Sequence, residues 1–218
     1  MWQTIGHVLP IAVAVALSSV PIMATVLILL SPNRVRSAVP FMVGWLLGLV
    51  AVVTAFALLA QTVPKPRHPQ VALAVAEFLI GAAILTLAVI TWRQAPTAAV
   101  RESRWRRAVS SFGPGASFGF AVVLNLRPKA LLLAAATGLI IRADGLSVTE
   151  SAIVIGVYTT VAATTVAGPI VATLVAPEKA RGWLLSTRHW IDENSSVVAV
   201  VILLIVGVVL VGNGLTRL

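Results

Sequence analysis

The chain has 218 residues, of which 59% are apolar and 11% are charged, and its mean hydropathy is +1.00. Ordinary globular domains carry roughly 25% charged residues, so this composition excludes a soluble protein and predicts an integral membrane protein. The net charge of +9 comes mainly from cations in short polar loops, where they meet lipid head groups, so we expect no nucleic-acid partner. The absence of cysteine excludes a membrane thiol–disulfide relay.

An all-α membrane fold with six transmembrane helices is predicted. A spanning helix needs about 20 mainly apolar residues, and six segments satisfy this length. They cover about residues 5–30, 38–60, 70–92, 115–141, 149–175 and 195–215. Between spans two and three, the proline-rich residues 64–69 predict a loop. The first segment lacks a basic start and a cleavage site, so we expect it to remain as a span.

Polar residues and prolines interrupt spans one and four. In span four, Arg127 and Lys129 flank Pro128 near the middle of the bilayer. A cation there costs at least about 2.5–3.5 kcal/mol, so an intramembrane charge indicates a functional site. Proline also removes a backbone donor, which opens the helix beside these charges. The interrupting residues of span one are Ser18, Ser19 and Pro21.

The two interrupted spans are related by an internal repeat. Aligned on the prolines, Ala14–Pro21 and Ala121–Pro128 are identical at four of eight positions, and Ser18 and Asn125 both stand three residues before the proline. The offset corresponds to three spans, so the second copy enters the membrane in the opposite sense. We therefore predict two inverted three-helix repeats, with the broken helices one and four meeting near the midplane.

A single membrane domain is predicted over residues 1–218. The first repeat covers about residues 1–95, a basic cytoplasmic linker about 96–113, and the second repeat about 114–218. The loops after spans one, three and five hold ten Lys and Arg, against four in the other loops and the termini. The positive-inside rule therefore places those three loops in the cytoplasm and both termini outside.

The link between spans five and six predicts a further helix, because it begins with a proline and an acid. Its apolar residues fall on one side of that helix, at Trp183, Leu184, Trp190 and Ile191. Two interpretations are open. The helix lies on the membrane surface, or it packs against the protein's own spans through the same apolar face.

The role of the intramembrane cations has two open interpretations. Arg127 and Lys129 contact an anionic substrate or take part in a coupling step, or they form a structural ion pair with Glu77 of span three. Glu77 as a proton carrier is a further hypothesis. Ser18 and Asn125 either orient a polar group or cap their half-helices. The complete set of candidate site residues is Ser18, Ser19, Pro21, Asn125, Arg127, Pro128, Lys129, Glu77 and Pro169.

Other polar and small residues favour structural roles. Four threonines of span five either line a pathway or bond carbonyls of their own helix; they are Thr159, Thr160, Thr164 and Thr165. The GxxxG of Gly44 and Gly48 predicts close helix packing within the subunit or in a dimer. The three histidines lack the spacing of metal ligands. Without a catalytic triad, P-loop or paired carboxylates, we expect neither an enzyme nor a cofactor.

Six short motifs occur in order along the chain, at Ser18–Pro21, Phe41–Gly48, Asn125–Lys129, Pro169, Pro177–Ala180 and Gly212–Leu215. Their order resembles that of the lysine exporter superfamily of six-span bacterial membrane proteins. Within it, the chain is most similar to the actinobacterial peptidoglycolipid-addressing, or sulfolipid-addressing, family. One motif departs from the family's Asn-Pro-Lys, because Leu126 and Arg127 stand between the asparagine and the proline.

This resemblance implies movement of cell-envelope glycolipids or lipid precursors across the cytoplasmic (inner) membrane. It also implies a homodimer of inverted repeats that works among membrane lipids, beside a lipid synthase or a large lipid exporter. A sulfate or phosphate head group suits Arg127 and Lys129, while the acyl tails remain in the bilayer.

Three hypotheses of function are therefore open. The first is a transporter of an anionic lipid or glycolipid. The second is an exporter of a small solute such as an amino acid, for which a closed polar cavity is expected instead of a lateral opening. The third is a scaffold that transports nothing and docks a lipid-synthesis or lipid-export complex through its basic inner surface.

Overall fold

The computed structural model of the chain describes residues 1–62 and 69–216, which form eight α-helices and no strand within those ranges. The helices are α1 (Trp2–Ala16), α2 (Ser19–Leu30), α3 (Arg34–Thr62), α4 (Pro69–Ser110), α5 (Pro114–Leu124), α6 (Pro128–Ala143), α7 (Val148–Val175) and α8 (Pro177–Thr216). The predicted all-α fold is therefore confirmed. The predicted loop at 64–69 lies outside the described residues, apart from Pro69, where α4 begins.

Both predicted interruptions are present. α1 and α2 are bent by 48° at residues 17–18, which we call the Ser18 break. α5 and α6 are bent by 60° at residues 125–127, which we call the Arg127 break. The two aligned prolines lie in the first turns of α2 and α6, where backbone N–H groups have no helical partner. Each proline therefore marks the start of a second half-helix.

The apolar helices are those of a multi-pass membrane protein. Among the described residues, three helical segments are long and apolar enough to cross a membrane, namely α3, α7 and residues Ala74–Arg93 of α4. Each bent pair adds one more, which gives up to five spans. The sixth predicted span corresponds to a shorter apolar stretch of α8, Val197–Gly212. The six-span arrangement stays a prediction.

The basic segment after span three continues the preceding helix. α4 extends to Ser110, so most of the predicted linker at 96–113 is helical. Arginine and alanine, which dominate this segment, are good helix formers. The helix therefore continues past the point where the sequence of α4 changes from apolar to charged.

The helix predicted after span five is continuous with the apolar stretch of α8, so it is not a separate surface helix. Its apolar residues form two pairs with a seven-residue spacing. Leu184 and Ile191 are buried, whereas Trp183 and Trp190 are 51% and 55% exposed. The buried pair fits packing against the spans, and tryptophan is a residue type that gathers at membrane interfaces.

Each half of the chain packs on the broken span of the other half, and α2 also contacts α3 and α4 of its own half. α3 packs on α5 and α6, and α7 packs on α1 and α2. In the same way α4 packs on α6 and α8 packs on α2, while α4 and α8 contact each other extensively. α2 lies at the centre, because Met23–Leu29 is buried on all sides, as expected for a helix that is apolar all round.

Two side-chain hydrogen bonds join segments that are predicted to share a side of the membrane. Thr4 Oγ1 donates to Oδ2 of Asp144 at 2.6 Å, which joins α1 to the turn between α6 and α7. Ser37 Oγ donates to the carbonyl of Phe112 at 2.8 Å, which joins α3 to the turn between α4 and α5. Both contacts agree with the predicted alternation of sides.

Candidate functional site

The two breaks end their first half-helices in the same way. The Ser18 N–H donates to the carbonyl of Val15 at 3.1 Å, and the Asn125 N–H donates to the carbonyl of Val122 at 3.0 Å. These donors and acceptors occupy matching positions in the repeat alignment. Such bonds across three residues tighten the last turn of a helix and satisfy carbonyls that would otherwise be left open. The two breaks therefore share this backbone hydrogen bond as well as their sequence pattern.

The Ser18 break is held by α7. Thr165 Oγ1 donates to the carbonyl of Ala16 at 2.5 Å, which satisfies the last carbonyl of α1 from a neighbouring helix. Pro169, buried in α7, removes the donor that would otherwise bond the Thr165 carbonyl. This turn of α7 therefore lacks one backbone hydrogen bond within the helix. Its Thr165 side chain donates a hydrogen bond to the Ser18 break. A role of Pro169 at the site stays a prediction.

The Arg127 break is held by Asn125 and by the glycines of α3. The Asn125 side chain is 2% exposed, and its Nδ2 donates to the carbonyl of Ala121 at 3.0 Å. Of the two predicted roles, capping of its own half-helix is therefore the one in place. A methyl group at Gly48 would overlap Asn125, and one at Gly44 would lie 2.5 Å from the carbonyl oxygen of Phe118. The GxxxG therefore packs α3 against α5 within the subunit.

A small cavity lies where the two breaks meet. Its lining residues are Val15, Ser18, Pro21, Trp45, Leu124, Arg127, Lys129, Ala130 and Leu133. The cavity measures about 10 Å³, which is close to the least space that holds one water molecule. Four of the predicted site residues are thus brought together. The other five, which do not line it, are Ser19, Asn125, Pro128, Glu77 and Pro169.

The cavity has the electrostatics of an anion site. Ser18 and Arg127 are the N-cap residues of α2 and α6, and neither makes a side-chain capping hydrogen bond. Helix N-termini carry partial positive charge and free N–H groups, which favour anions. Arg127 and Lys129 add two cations where the α6 dipole is already positive, and the described residues that line the cavity include no acid. An anion would offset this concentration of positive charge.

Trp45 was missed as a site residue. It is 2% exposed, lines the cavity from α3, and its Nε1 donates to no atom in the described part of the chain. A buried indole N–H normally has a partner, so this group is available as a hydrogen-bond donor to a ligand. Its position between Gly44 and Gly48 is the sequence signal that could have identified it, because that glycine pair brings α3 against the broken span.

Glu77 lies apart from the cavity. Its side chain is 1% exposed within α4, and α4 contacts α2, α6 and α8. The ion pair with Lys129 and the proton-carrying role both stay predictions.

Two of the four threonines of α7 have the predicted structural role, and lining of a pathway stays a prediction. Thr160 and Thr164 donate to carbonyls of their own helix at 2.8 Å, which is the ordinary structural use of threonine in a membrane helix. Thr165 instead bonds the Ser18 break, as described above. Thr159 is 7% exposed, and its hydroxyl has no hydrogen-bond partner among the described residues.

Comparison with known proteins assigns the chain to a family. No curated protein and no solved structure matches it. The sequence does match the family described as Sap, sulfolipid-1-addressing protein, over residues 8–216. The match includes both breaks and all the residues that line the cavity. It covers nearly the whole chain and confirms the resemblance seen in the ordered motifs: this protein belongs to the sulfolipid-1-addressing protein family.

Proposed function

We propose that this protein moves a cell-envelope lipid or glycolipid with an anionic head group across the cytoplasmic membrane. The observation that carries the proposal is the convergence of the α2 and α6 N-termini with Arg127 and Lys129 on one cavity. Free N–H groups and two cations suit a sulfate or phosphate ester. The family's description refers to a sulfolipid, and a sulfate ester has this chemistry.

In this proposal the head group crosses through the protein while the acyl chains stay in lipid. The apolar residues beside the two N-caps, Leu17 and Leu126, are 40% and 54% exposed, so an apolar surface adjoins each break. The cavity of about 10 Å³ is too small for a sulfate, and the broken spans would have to separate to admit one. The bends at 17–18 and 125–127 are natural hinges for that motion. Trp45 Nε1 would donate to the head group.

The proposed architecture is two inverted three-span repeats in a homodimer, as in the lysine exporter superfamily. The exchange of packing partners between α3 and α7, and between α4 and α8, supports this arrangement. So does the matching hydrogen bonding of the two breaks. Transport across a membrane by inverted repeats uses interrupted helices at the repeat interface. We propose transport without catalysis, and an orientation with both termini outside.

The distribution of envelope lipids between the two leaflets tests this function. Cells with the protein are expected to carry the anionic lipid in the outer leaflet, and cells that lack it or carry Lys129→Ala are expected to retain it in the inner leaflet. If no lipid is redistributed and Lys129→Ala has no effect, the proposal is wrong.

The scaffold hypothesis predicts the opposite ranking of two variants by their effect on lipid traffic. Under it, Lys129→Ala leaves lipid traffic intact, whereas replacing the basic cluster of α4 abolishes it; that cluster is Arg104, Arg106 and Arg107. Export of a small solute is distinguished by measuring amino-acid efflux from the same cells. Efflux that depends on Lys129, with unchanged lipid leaflets, favours the solute exporter.

A further inference from the structure

A second and larger cavity lies at one end of the bundle, apart from the breaks. Its volume is about 550 Å³, within the range of roughly 300–1,000 Å³ that small-ligand sites occupy. It opens between the α2–α3 turn, the end of α7 and the first turns of α8. Its lining residues are Leu29, Leu30, Ser31, Pro32, Arg34, Thr173, Pro177, Arg181, Leu184, Leu185 and Arg188.

The charge of this cavity is entirely positive among the described residues that line it. Arg34, Arg181 and Arg188 come from two different helices, α3 and α8, and no acid lines the cavity beside them. The guanidinium group binds phosphate and sulfate oxygens through paired hydrogen bonds. Three such groups around one space suit a doubly or singly charged ester better than an isolated surface arginine does.

Two helix N-termini border the same cavity. α3 begins at Arg34 and α8 begins at Pro177, and both residues line it. The first turn of α3 contains no acid, and Glu178 in the first turn of α8 is exposed and does not line the cavity. Helix N-termini carry partial positive charge, which favours anions. Side chains and backbone therefore favour the same ligand.

The apolar part of the cavity indicates that the anion belongs to a lipid. Leu29, Leu30 and Leu184 form its inner wall, and Leu185 is 49% exposed. Trp183 and Trp190 are more than half exposed on the same stretch of α8, and tryptophans of this kind mark the level of lipid head groups. A free inorganic anion would contact only the arginines, whereas a lipid would contact both the arginines and the leucines.

We propose that this cavity binds the phosphate or sulfate ester of a lipid head group at the face predicted to be cytoplasmic. The ester would contact Arg34 and Arg181, and an acyl chain would leave along Leu185. The proposal does not depend on transport, because it requires no movement of the broken spans. The lipid is either an anionic phospholipid of the surrounding leaflet or a sulfated glycolipid on its way to the breaks, and both share this ester chemistry.

Binding of defined lipids to the full-length purified protein tests the proposal. The probes are phosphatidylglycerol, a sulfated glycolipid and its uncharged counterpart, each doped into phosphatidylcholine nanodiscs, with bound lipid counted by native mass spectrometry. We expect Arg34→Gln/Arg181→Gln to lower the affinity for the charged lipids about tenfold or more. Arg36→Gln/Lys179→Gln, which removes two exposed cations outside the cavity, should change it less than about twofold.

Two further variants separate this site from the breaks and from misfolding. The same comparison in an Arg127→Gln/Lys129→Gln background reports on the larger cavity alone, so failure of the breaks as a lipid site leaves this test intact. Arg34→Lys/Arg181→Lys keeps the charge and should retain more of the binding than the glutamine variant. Equal loss in the control variant, equal binding of the uncharged lipid, or binding of inorganic sulfate as tight as that of the lipids would each overturn the proposal.

Discussion

The two breaks end their first half-helices with the same backbone hydrogen bond, but they differ in chemistry. At the Ser18 break the last carbonyl of α1 is satisfied by Thr165 of α7, and the break itself carries no charge. At the Arg127 break, Asn125 caps its own half-helix and two cations, Arg127 and Lys129, stand at the start of α6. A neutral break closed by a neighbouring helix is thus placed opposite a charged break, and no acid is among the described residues that line the cavity between them.

This difference indicates that the two breaks have different roles. A helix can be interrupted in a membrane only where its freed backbone groups find partners in the protein or in a wet cavity. The Ser18 break finds them in the protein, so we assign it the role of a hinge. The Arg127 break retains positive charge facing the cavity, so we assign it the role of binding the substrate. Only one of the two breaks carries cations.

Neutralising the two cations tests the binding role and carries the largest expected effect. We expect Arg127→Gln/Lys129→Gln to slow movement of a sulfated glycolipid in reconstituted vesicles about 10- to 100-fold, because hydrogen bonds to charged groups contribute about 1.5–3 kcal/mol. The initial rate is the measurement. Arg36→Gln/Lys179→Gln, which removes two exposed cations outside the cavity, serves as the control and should change the initial rate less than about twofold. A double variant that transports at the wild-type rate contradicts the assignment.

Crowding α3 against the Arg127 break should destabilise the fold. In Gly48→Ala the added methyl group overlaps Asn125, and overpacking of this kind costs about 1–3 kcal/mol. Unfolding in detergent, followed by circular dichroism, measures the loss. The matched control is Gly156→Ala in α7, where nothing lies within 4 Å of the new methyl group and helix propensity predicts a gain of up to about 1 kcal/mol. Equal effects of the two substitutions would show that the close approach is unimportant.

Removing the cross-helix bond should weaken the Ser18 break. Thr165→Val leaves the carbonyl of Ala16 without its partner from α7, and hydrogen bonds between membrane helices contribute about 0.6 kcal/mol on average. Thr164→Val is the control, because Thr164 bonds only the carbonyl of Val161 in its own helix. Unfolding curves of the two variants give the comparison. The hinge assignment loses its support if Thr164→Val is the more damaging change.

The smallest effect is expected from Ser18 itself. Its hydroxyl makes no capping hydrogen bond, so Ser18→Ala should change the free energy of unfolding by less than about 0.5 kcal/mol. Ser147→Ala provides the contrast, because Ser147 forms a capping box with Glu150 at the start of α7, and loss of such a cap costs about 1 kcal/mol. A Ser18→Ala loss as large as that of Ser147→Ala would show that the Ser18 break depends on its own side chain.

The sequence predicts the breaks well because their signals are local. A proline with polar neighbours inside an apolar run interrupts a helix whatever surrounds it, and both breaks stand where the motifs of Ser18–Pro21 and Asn125–Lys129 placed them. The continuity of α4 and α8 was not predicted, since a change in polarity was taken as a helix end. Helix propensity in fact carries α4 to Ser110.

The partners of the site residues depend on tertiary packing and carry little local signal. The bond from Thr165 to Ala16 joins residues far apart in the chain, and nothing in either segment identifies the other. Trp45 reaches the cavity only because Gly44 and Gly48 let α3 approach α5. The convergence of the breaks was predictable through the repeat alone, which implies that related segments meet at a shared interface.

Mapping where the head group binds tests the central claim most directly. A sulfated glycolipid with a photoreactive group beside its sulfate would be cross-linked to the purified protein, and the labelled residues identified by peptide mass spectrometry. Binding at the Arg127 break predicts labels on Trp45, Ala130 and Leu133, which line the cavity, and loss of these labels in Arg127→Gln/Lys129→Gln. Labels confined to other parts of the protein, or labels on these residues that persist without the two cations, would contradict it.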